Sequence, residues 1–236
     1  MKKQKDRLEM LFPSVCWDNF FSNPKEVVKF ANSLPYKPSK DGAWPGVRTG
    51  PLHTIDRDFF EYVGDRFLSV LFPNTYTKVE YEECFMYFQK ISNAYVDPGW
   101  IHQDSPPSDL TLIIYLSDHK NCGTSIFDFK GHRPVNLNIK EKFTEYKHKK
   151  RNTKAVLEHN EPFEETIRFH SKFNRAVFFD GGAFHGVLNH VDKNLKEDRL
   201  TLICFYKGFT KTKYPLIESA RAGRLGGGIN SSLYLL

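Results

Sequence analysis

The hydrophobic pattern of this chain changes period near residue 79, and that change limits what it can fold into. Upstream, Val27, Val28, Phe30, Ala31 and Leu34 recur at helical spacing, as do Phe59, Phe60, Val63, Phe67, Leu68 and Leu71 over residues 57–71. Ser22 or Asn23 caps the first of these predicted helices and Pro24 sits in its first turn. Pro35 to Pro51 reads as a long surface loop. Downstream, VEYEECFMYFQKI, DLTLIIYLSD, SIFDF, RAVFFD, GVLNHV and RLTLICFYK are short β-branched and aromatic runs bounded by Gly, Pro, Asn and Asp. Such runs are strands of a sandwich or barrel. The pattern predicts an α+β fold in one domain over residues 1–236: helical support at 1–78, a β core at 79–208 and a tail at 209–236. An insertion at 131–172 interrupts the core, and its charged, helix-favouring part at 140–168 is of a length typical of lids or binding segments.

Composition narrows the class. The 236 residues are 40% hydrophobic, 26% charged and 15% aromatic, with 21 Phe, as suits a soluble, β-rich core. No apolar run approaches the roughly 18 residues of a membrane helix, and no apolar stretch follows the basic start MKKQKDRLEM. A cytoplasmic protein with no membrane partner is expected. Cys16, Cys84, Cys122 and Cys204 are widely spaced and read as buried thiols. The net charge is +6, and Lys140 to Lys154 holds seven Lys/Arg against two Glu. No aromatic platform of the kind that binds single strands interleaves this run, so a solvated helix face is favoured over a nucleic-acid contact.

The chemistry-bearing residues lie in the β region. His102 and Asp104 are two residues apart on an extended segment that follows the turn Asp97-Pro98-Gly99, so both side chains leave the same face. A third ligand is expected on a later strand near a turn. Phe178 to Val187 breaks at Gly181-Gly182 and delivers His185 with Gly186 behind it, and glycine permits close backbone approach. His190 is the rival, but it follows a polar residue and reads as more exposed. Two histidines and one carboxylate fill three of six octahedral positions and leave the rest open for chemistry. Arg199 and Thr201 alternate with Leu200 and Leu202, which puts the cation and the hydroxyl on one face of a strand. A buried guanidinium there suits capture of a carboxylate.

His102-x-Asp104, His185 81 residues after the aspartate, Arg199 14 residues later and Thr201 two further on form one pattern. It resembles the Fe(II)- and 2-oxoglutarate-dependent oxygenase superfamily. Thr111 to Asp118 followed by Gly123-Thr124-Ser125-Ile126-Phe127 is similar to the strand-turn-strand after the iron motif in prolyl 4-hydroxylase-like members, and the likeness covers residues 80–208. Two features depart from that branch. Arg199 stands where prolyl 4-hydroxylases usually carry Lys, and the Trp100-Ile101-His102 form is closer to uncharacterised bacterial and phage-like relatives.

The resemblance implies a double-stranded β-helix core, of jelly-roll or cupin-like form, with N-terminal supporting helices. It implies Fe(II) on His102, Asp104 and His185, and 2-oxoglutarate as cosubstrate, with its distal carboxylate on Arg199 assisted by Thr201. Tyr87 or Tyr115 would add a hydrogen bond, and ascorbate would support turnover. Related halogenases replace the carboxylate ligand with Ala or Gly, so Asp104 points to hydroxylation. The implied reaction hydroxylates an unactivated C–H bond of a small molecule or peptidyl side chain, with decarboxylation of 2-oxoglutarate to succinate. Trp44-Pro45-Gly46-Val47-Arg48-Thr49 would line the substrate entrance. The alternatives are a nucleic-acid oxidative demethylase, motivated by the basic insertion, and a non-catalytic metal-binding β-sandwich. Substrate identity and oligomeric state are not legible in the sequence.

Overall fold

The computed structural model describes residues 12–40, 44–72, 81–92, 99–104, 109–120, 122–131, 153–187, 189–192 and 194–209. The elements run β1 (Val15–Trp17), α1 (Pro24–Ser33), β2 (Lys37–Pro38), β3 (Val47–Arg48), α2 (Leu52–Ile55) and α3 (Arg57–Leu71). They continue as β4 (Glu83–Ile91), β5 (Leu110–Tyr115), β6 (Gly123–Phe129), α4 (Thr153–Asn160), β7 (Phe163–His170), β8 (Arg175–Asp180), β9 (Phe184–Gly186) and β10 (Arg199–Lys207). Seven strands form a large sheet in the order β1-β8-β5-β10-β4-β3-β2, and three form a small sheet, β7-β6-β9. All pairs of named strands are antiparallel. The fold is α+β, as the strand runs predict, with the jelly-roll core that the resemblance implies.

The local rules explain most boundaries. Asp56 caps α3 by accepting from the Phe59 amide at 2.9 Å. Asn23 occupies the cap position of α1 but makes no side-chain cap bond, and Pro24 presets the first turn instead. The predicted strand GVLNHV shrinks to β9, and residues 189–191 carry no strand. Conversely, the insertion read as helix-favouring contributes β7 as well as α4. In β7 only Phe163 and Phe169 are buried, so its sequence is too polar to announce a strand, and pairing with β6 decides it. The basic run Lys140–Lys154 lies outside the described residues except for its last two positions, and the tail from 210 onward lies outside them entirely.

Strand alternation divides the large sheet into two unlike faces. One face bears Met86, Phe88, Leu112, Phe178, Leu202 and Tyr206 and packs against α1 and α3. Phe67 of α3 meets Phe178 and Tyr206 at ring-centroid distances of 5.0 and 5.4 Å, and Phe59 stacks on Phe88 at 5.8 Å. The other face looks toward the small sheet, where Tyr115, Val177 and Phe179 pack with Ile126 and Phe169. A third cluster, Ile101, Phe129 and Phe163, lies behind the small sheet. The N-terminal segment is pinned at Asn174, whose amide oxygen accepts from the Phe21 amide and whose amide nitrogen donates to the Phe21 carbonyl, both at 2.8 Å. Asp18 nearby receives Nε and Nη2 of Arg175 at 2.6 and 3.1 Å and Lys172 Nζ at 2.8 Å.

Candidate metal centre

His102 and His185 are brought together by the backbone. Each amide donates to the other's carbonyl, at 2.9 and 2.8 Å, so the segment around His102 lies beside β9 as an extra edge of the small sheet. The two rings lie with centroids 4.5 Å apart. Glycine makes this approach possible. The Gly99 amide donates to the Val187 carbonyl at 2.7 Å, and a Cβ on Gly99 would sit 2.2 Å from that carbonyl oxygen. Asp104 is placed by its amide, which donates to the Gly181 carbonyl at 3.0 Å, in the turn where the sequence breaks after β8.

These bonds converge three donors. One ligand atom from each of His102, Asp104 and His185 lies within 4.8 Å of the others. His102 Nε2 is 3.8 Å from Asp104 Oδ1, and His185 Nε2 is 3.5 Å from Asp104 Oδ2. Each Nδ1 faces a carbonyl, Trp100 at 2.7 Å for His102 and Ala183 at 2.9 Å for His185. A ring nitrogen against a carbonyl carries the proton, so in the neutral imidazole of either residue Nε2 is the atom that would ligate a metal. Two imidazoles and a carboxylate, oriented this way, suit a divalent transition metal with open positions. Thr111 Oγ1 donates to Asp104 Oδ2, fixing the carboxylate from β5.

Charge reinforces the grouping. Burial disfavours ionisation of Asp104, but the neighbouring histidines and the Thr111 hydroxyl outweigh it and hold the carboxyl down at about 2. Burial, followed by the charge of His185, pushes His102 down to about 4, toward the neutral form that ligates metal. Burial also opposes charge on His185, yet Asp104 prevails and raises it. The His102 side chain is 35% exposed whereas that of His185 is 6% exposed, so the group opens to solvent on the His102 side.

The remaining sequence-derived residues spread over the same inner face. Cross-strand register places Arg48, Gln89, Thr201, Tyr115 and Arg175 in one transverse row. Thr111, the partner of Asp104, lies four residues from Tyr115 along β5, roughly 13 Å away at strand rise. Arg199 is 3% exposed, one pleat beyond Thr201. Its Nη1 donates to the His190 carbonyl at 3.4 Å, its guanidinium carbon lies 5.5 Å from the Tyr115 ring centroid, and its Nε has no partner. Burial lowers its pKa, with Tyr115 acting the other way. Of the two tyrosines, Tyr115 meets Arg199 and gives its hydroxyl to Thr124 Oγ1 at 2.8 Å, whereas Tyr87 meets Arg48 instead. His190 is buried, at 6% exposure, contrary to the expectation of an exposed residue, because its segment folds back over the start of β10; it does not join the three-donor group.

Sequence reasoning missed the support beneath the ligand segment. Asn160, the last residue of α4, accepts from the Ile101 amide at 3.1 Å and donates to the Gly99 carbonyl at 2.8 Å, acting as a one-residue strand partner. His159 Nε2 bonds the Ile101 carbonyl at 2.8 Å, and its ring stacks on Trp100 at 3.5 Å. The insertion therefore reaches the candidate metal centre. No local signal marks Asn160, since helix-terminal asparagines are common and its partners lie some sixty positions upstream.

Known folds fit this geometry. Among solved structures, the chain is similar to the non-heme alpha ketoglutarate dependent epimerase SnoN from nogalamycin biosynthesis, with a TM-score of 0.52 and 10% identity, covering 83% of this chain and 77% of that one. It is also similar to HygX from Streptomyces hygroscopicus, solved with nickel and 2-oxoglutarate bound, with a TM-score of 0.51 and 12% identity, covering 83% and 82%. At these identities the likeness establishes the fold alone, which this chain shares with those two proteins. No curated protein matches the chain. The jelly-roll sheets, but for the last residue of β10, and the segments that carry the three donors fall within residues 5–206, which match the model described as "Family of unknown function (DUF6445)", and the chain belongs to that family.

Proposed function

We propose that this protein is an Fe(II)- and 2-oxoglutarate-dependent dioxygenase that hydroxylates an unactivated C–H bond of a small molecule or peptidyl side chain. The observation that carries the reading is the convergence of His102, Asp104 and His185 on one face, with a buried, incompletely satisfied Arg199 farther along the same face. When bound, iron and 2-oxoglutarate supply the oxidising chemistry, and the cosubstrate leaves as succinate. The chain's own part is placement and dryness. The two imidazoles and the carboxylate hold the metal. Arg199, desolvated and short of acceptors, pairs with the distal carboxylate of the cosubstrate, and Thr201 donates a hydroxyl one pleat away. Tyr115 packs beside the guanidinium with its ring, since its own hydroxyl is engaged by Thr124. Ile113, Val177 and Phe179 keep water from the space between. HygX, solved with nickel and 2-oxoglutarate, supports the cofactor pair. The prolyl 4-hydroxylase-like branch rests on the strand-turn-strand likeness at 111–127 alone.

Anaerobic addition of Fe(II) and 2-oxoglutarate to the purified chain tests the reading. A metal-to-cosubstrate charge-transfer band is expected, followed by oxygen-dependent succinate formation. Absence of both in a folded protein would remove the assignment and leave a metal-binding sandwich.

A further inference from the structure

One cation on the inner face has no part in that scheme. Arg48 in β3 stands opposite Gln89 of β4, in the same row as Thr201 and Tyr115. Its guanidinium is enclosed by three aromatic rings: the guanidinium carbon lies 4.4 Å from the centroid of Trp44, 5.8 Å from Phe205 and 5.9 Å from Tyr87. Gln89 Oε1 accepts from Nη2 at 3.4 Å, and the Gln89 amide is itself locked by donating to the Pro45 carbonyl at 2.6 Å. Arg48 Nε has no partner, and among the described residues no carboxylate lies within ion-pair distance.

The surroundings are built to hold this arrangement. Gly46, at φ +69°, lets the Trp44-Pro45-Gly46 turn lie directly on β4, where a Cβ would fall 2.0 Å from the Lys90 carbonyl oxygen. Burial lowers the Arg48 pKa only to about 10, with Tyr87 and Asp104 favouring the charge, so it is a cation at neutral pH. The side chain leans from its own row toward Phe205, which pairs with Thr111, the residue that holds Asp104. This places the cation toward the metal end of the face, whereas Arg199 lies toward the other. The rim beside it is open, with Phe85 38% exposed.

A partly buried cation that has no carboxylate in ion-pair contact among the described residues, and only the more distant charge of Asp104, gains from the arrival of an anion. We propose that Arg48, with Trp44, Tyr87 and Phe205, is the substrate-recognition site, and that it takes the carboxylate of a small molecule whose flat or apolar body packs on the aromatic rings. A single guanidinium, with no second cation in the aromatic box among the described residues, matches one negative charge better than a phosphate. The role as substrate site rests on the oxygenase reading; the anion site itself does not.

The test separates the two. Isothermal titration of the full-length, metal-free chain with indole-3-acetate and 3-phenylpropionate, each against its carboxamide, reads the anion site. The wild type should bind the acids at least about tenfold tighter than the amides. Discrimination should fall to about twofold or less in Arg48→Gln and be partly restored in Arg48→Lys, with melting curves confirming the fold. Equal affinity for acids and amides in the wild type, including no binding of either, overturns the proposal, as does discrimination retained in Arg48→Gln. A second titration uses Mn(II) and 2-oxoglutarate. If Arg48→Gln abolishes cosubstrate binding and Arg199→Gln does not, Arg48 anchors the cosubstrate and the substrate role falls. If the wild type binds acids but not 2-oxoglutarate, the anion site stands and the oxygenase reading falls.

Discussion

The two faces of β10 differ as much as two proteins would. Leu200, Leu202, Cys204 and Tyr206 are buried against the helices in a cluster that includes Phe67, Phe88 and Phe178. Their neighbours in sequence, Arg199, Thr201, Ile203 and Phe205, look into the space between the sheets, where the cluster of apolar residues is small and cations and hydroxyls stand beside it. One strand thus carries part of the apolar core on one side and the residues of the proposed site on the other. Alternation permits this, because a pleated strand sends successive side chains to opposite faces. Changes on the helix face should lower stability with little effect on ligand binding, and changes on the inner face should do the reverse.

The largest expected effect breaks the inner face alone. Asp104→Ala should reduce metal-dependent succinate formation by at least about a hundredfold, more than loss of a residue merely supporting a ligand. Its melting temperature should stay near that of the wild type; a collapse of the fold would show that Asp104 is structural. Phe67→Ala should do the opposite, costing about 3–5 kcal/mol in denaturant unfolding while the folded fraction keeps its affinity for 2-oxoglutarate.

Arg199→Gln sharpens the contrast. The affinity for 2-oxoglutarate should weaken by at least about thirtyfold, equivalent to about 2 kcal/mol, by calorimetry. Stability should hold or rise, because among the described residues this buried charge is met by one backbone carbonyl and an aromatic ring. A large drop in stability would mean that Arg199 has an internal structural role. Asn160→Ala should lower metal affinity about tenfold by releasing the backbone of Gly99 and Ile101, with the helix-face core unaffected. Unchanged metal affinity would show that α4 rests on the ligand segment without positioning it.

The smallest effect lies where β1 meets β8, at the bidentate pair of Asp18 with Arg175 and its contact with Lys172. These cations hold the Asp18 carboxyl well below its ordinary range. A depressed carboxylate contributes stability above its unfolded pKa of about 3.9, and that contribution fades as pH falls toward the folded value. Asp18→Asn should therefore cost about 1 kcal/mol at pH 7, discounted for its partial exposure, and the gap should narrow below about pH 4. A gap independent of pH would assign the effect to packing.

Much of this was legible before the fold. The amphipathic stripe over 57–71 coincides with α3, and RAVFFD and RLTLICFYK coincide with β8 and β10, because each has enough alternation or helical spacing to declare itself locally. The three donors were legible for the same reason: a His-x-Asp pair sits on one face of any extended segment, and His185 follows a glycine break. Less was legible where pairing overrides composition. β7 lacks a clear apolar alternation, with five polar residues among its eight, and is a strand because β6 offers it a partner. Tyr87 and Tyr115 were equivalent in sequence, and register separates them, sending one to Arg48 and the other to Arg199.

By itself the sequence determined the periods of its elements, the α+β class and the residue types able to hold a metal, since these depend on spacing along a strand or helix. Only the tertiary structure decided that Asn160 would brace the ligand segment, that His190 would be buried away from the donors, and that Arg48 would enter an aromatic box on the inner face. These depend on strand register and on how the sheets close over one another. Both are set by contacts between residues far apart in the chain, and no local pattern encodes them.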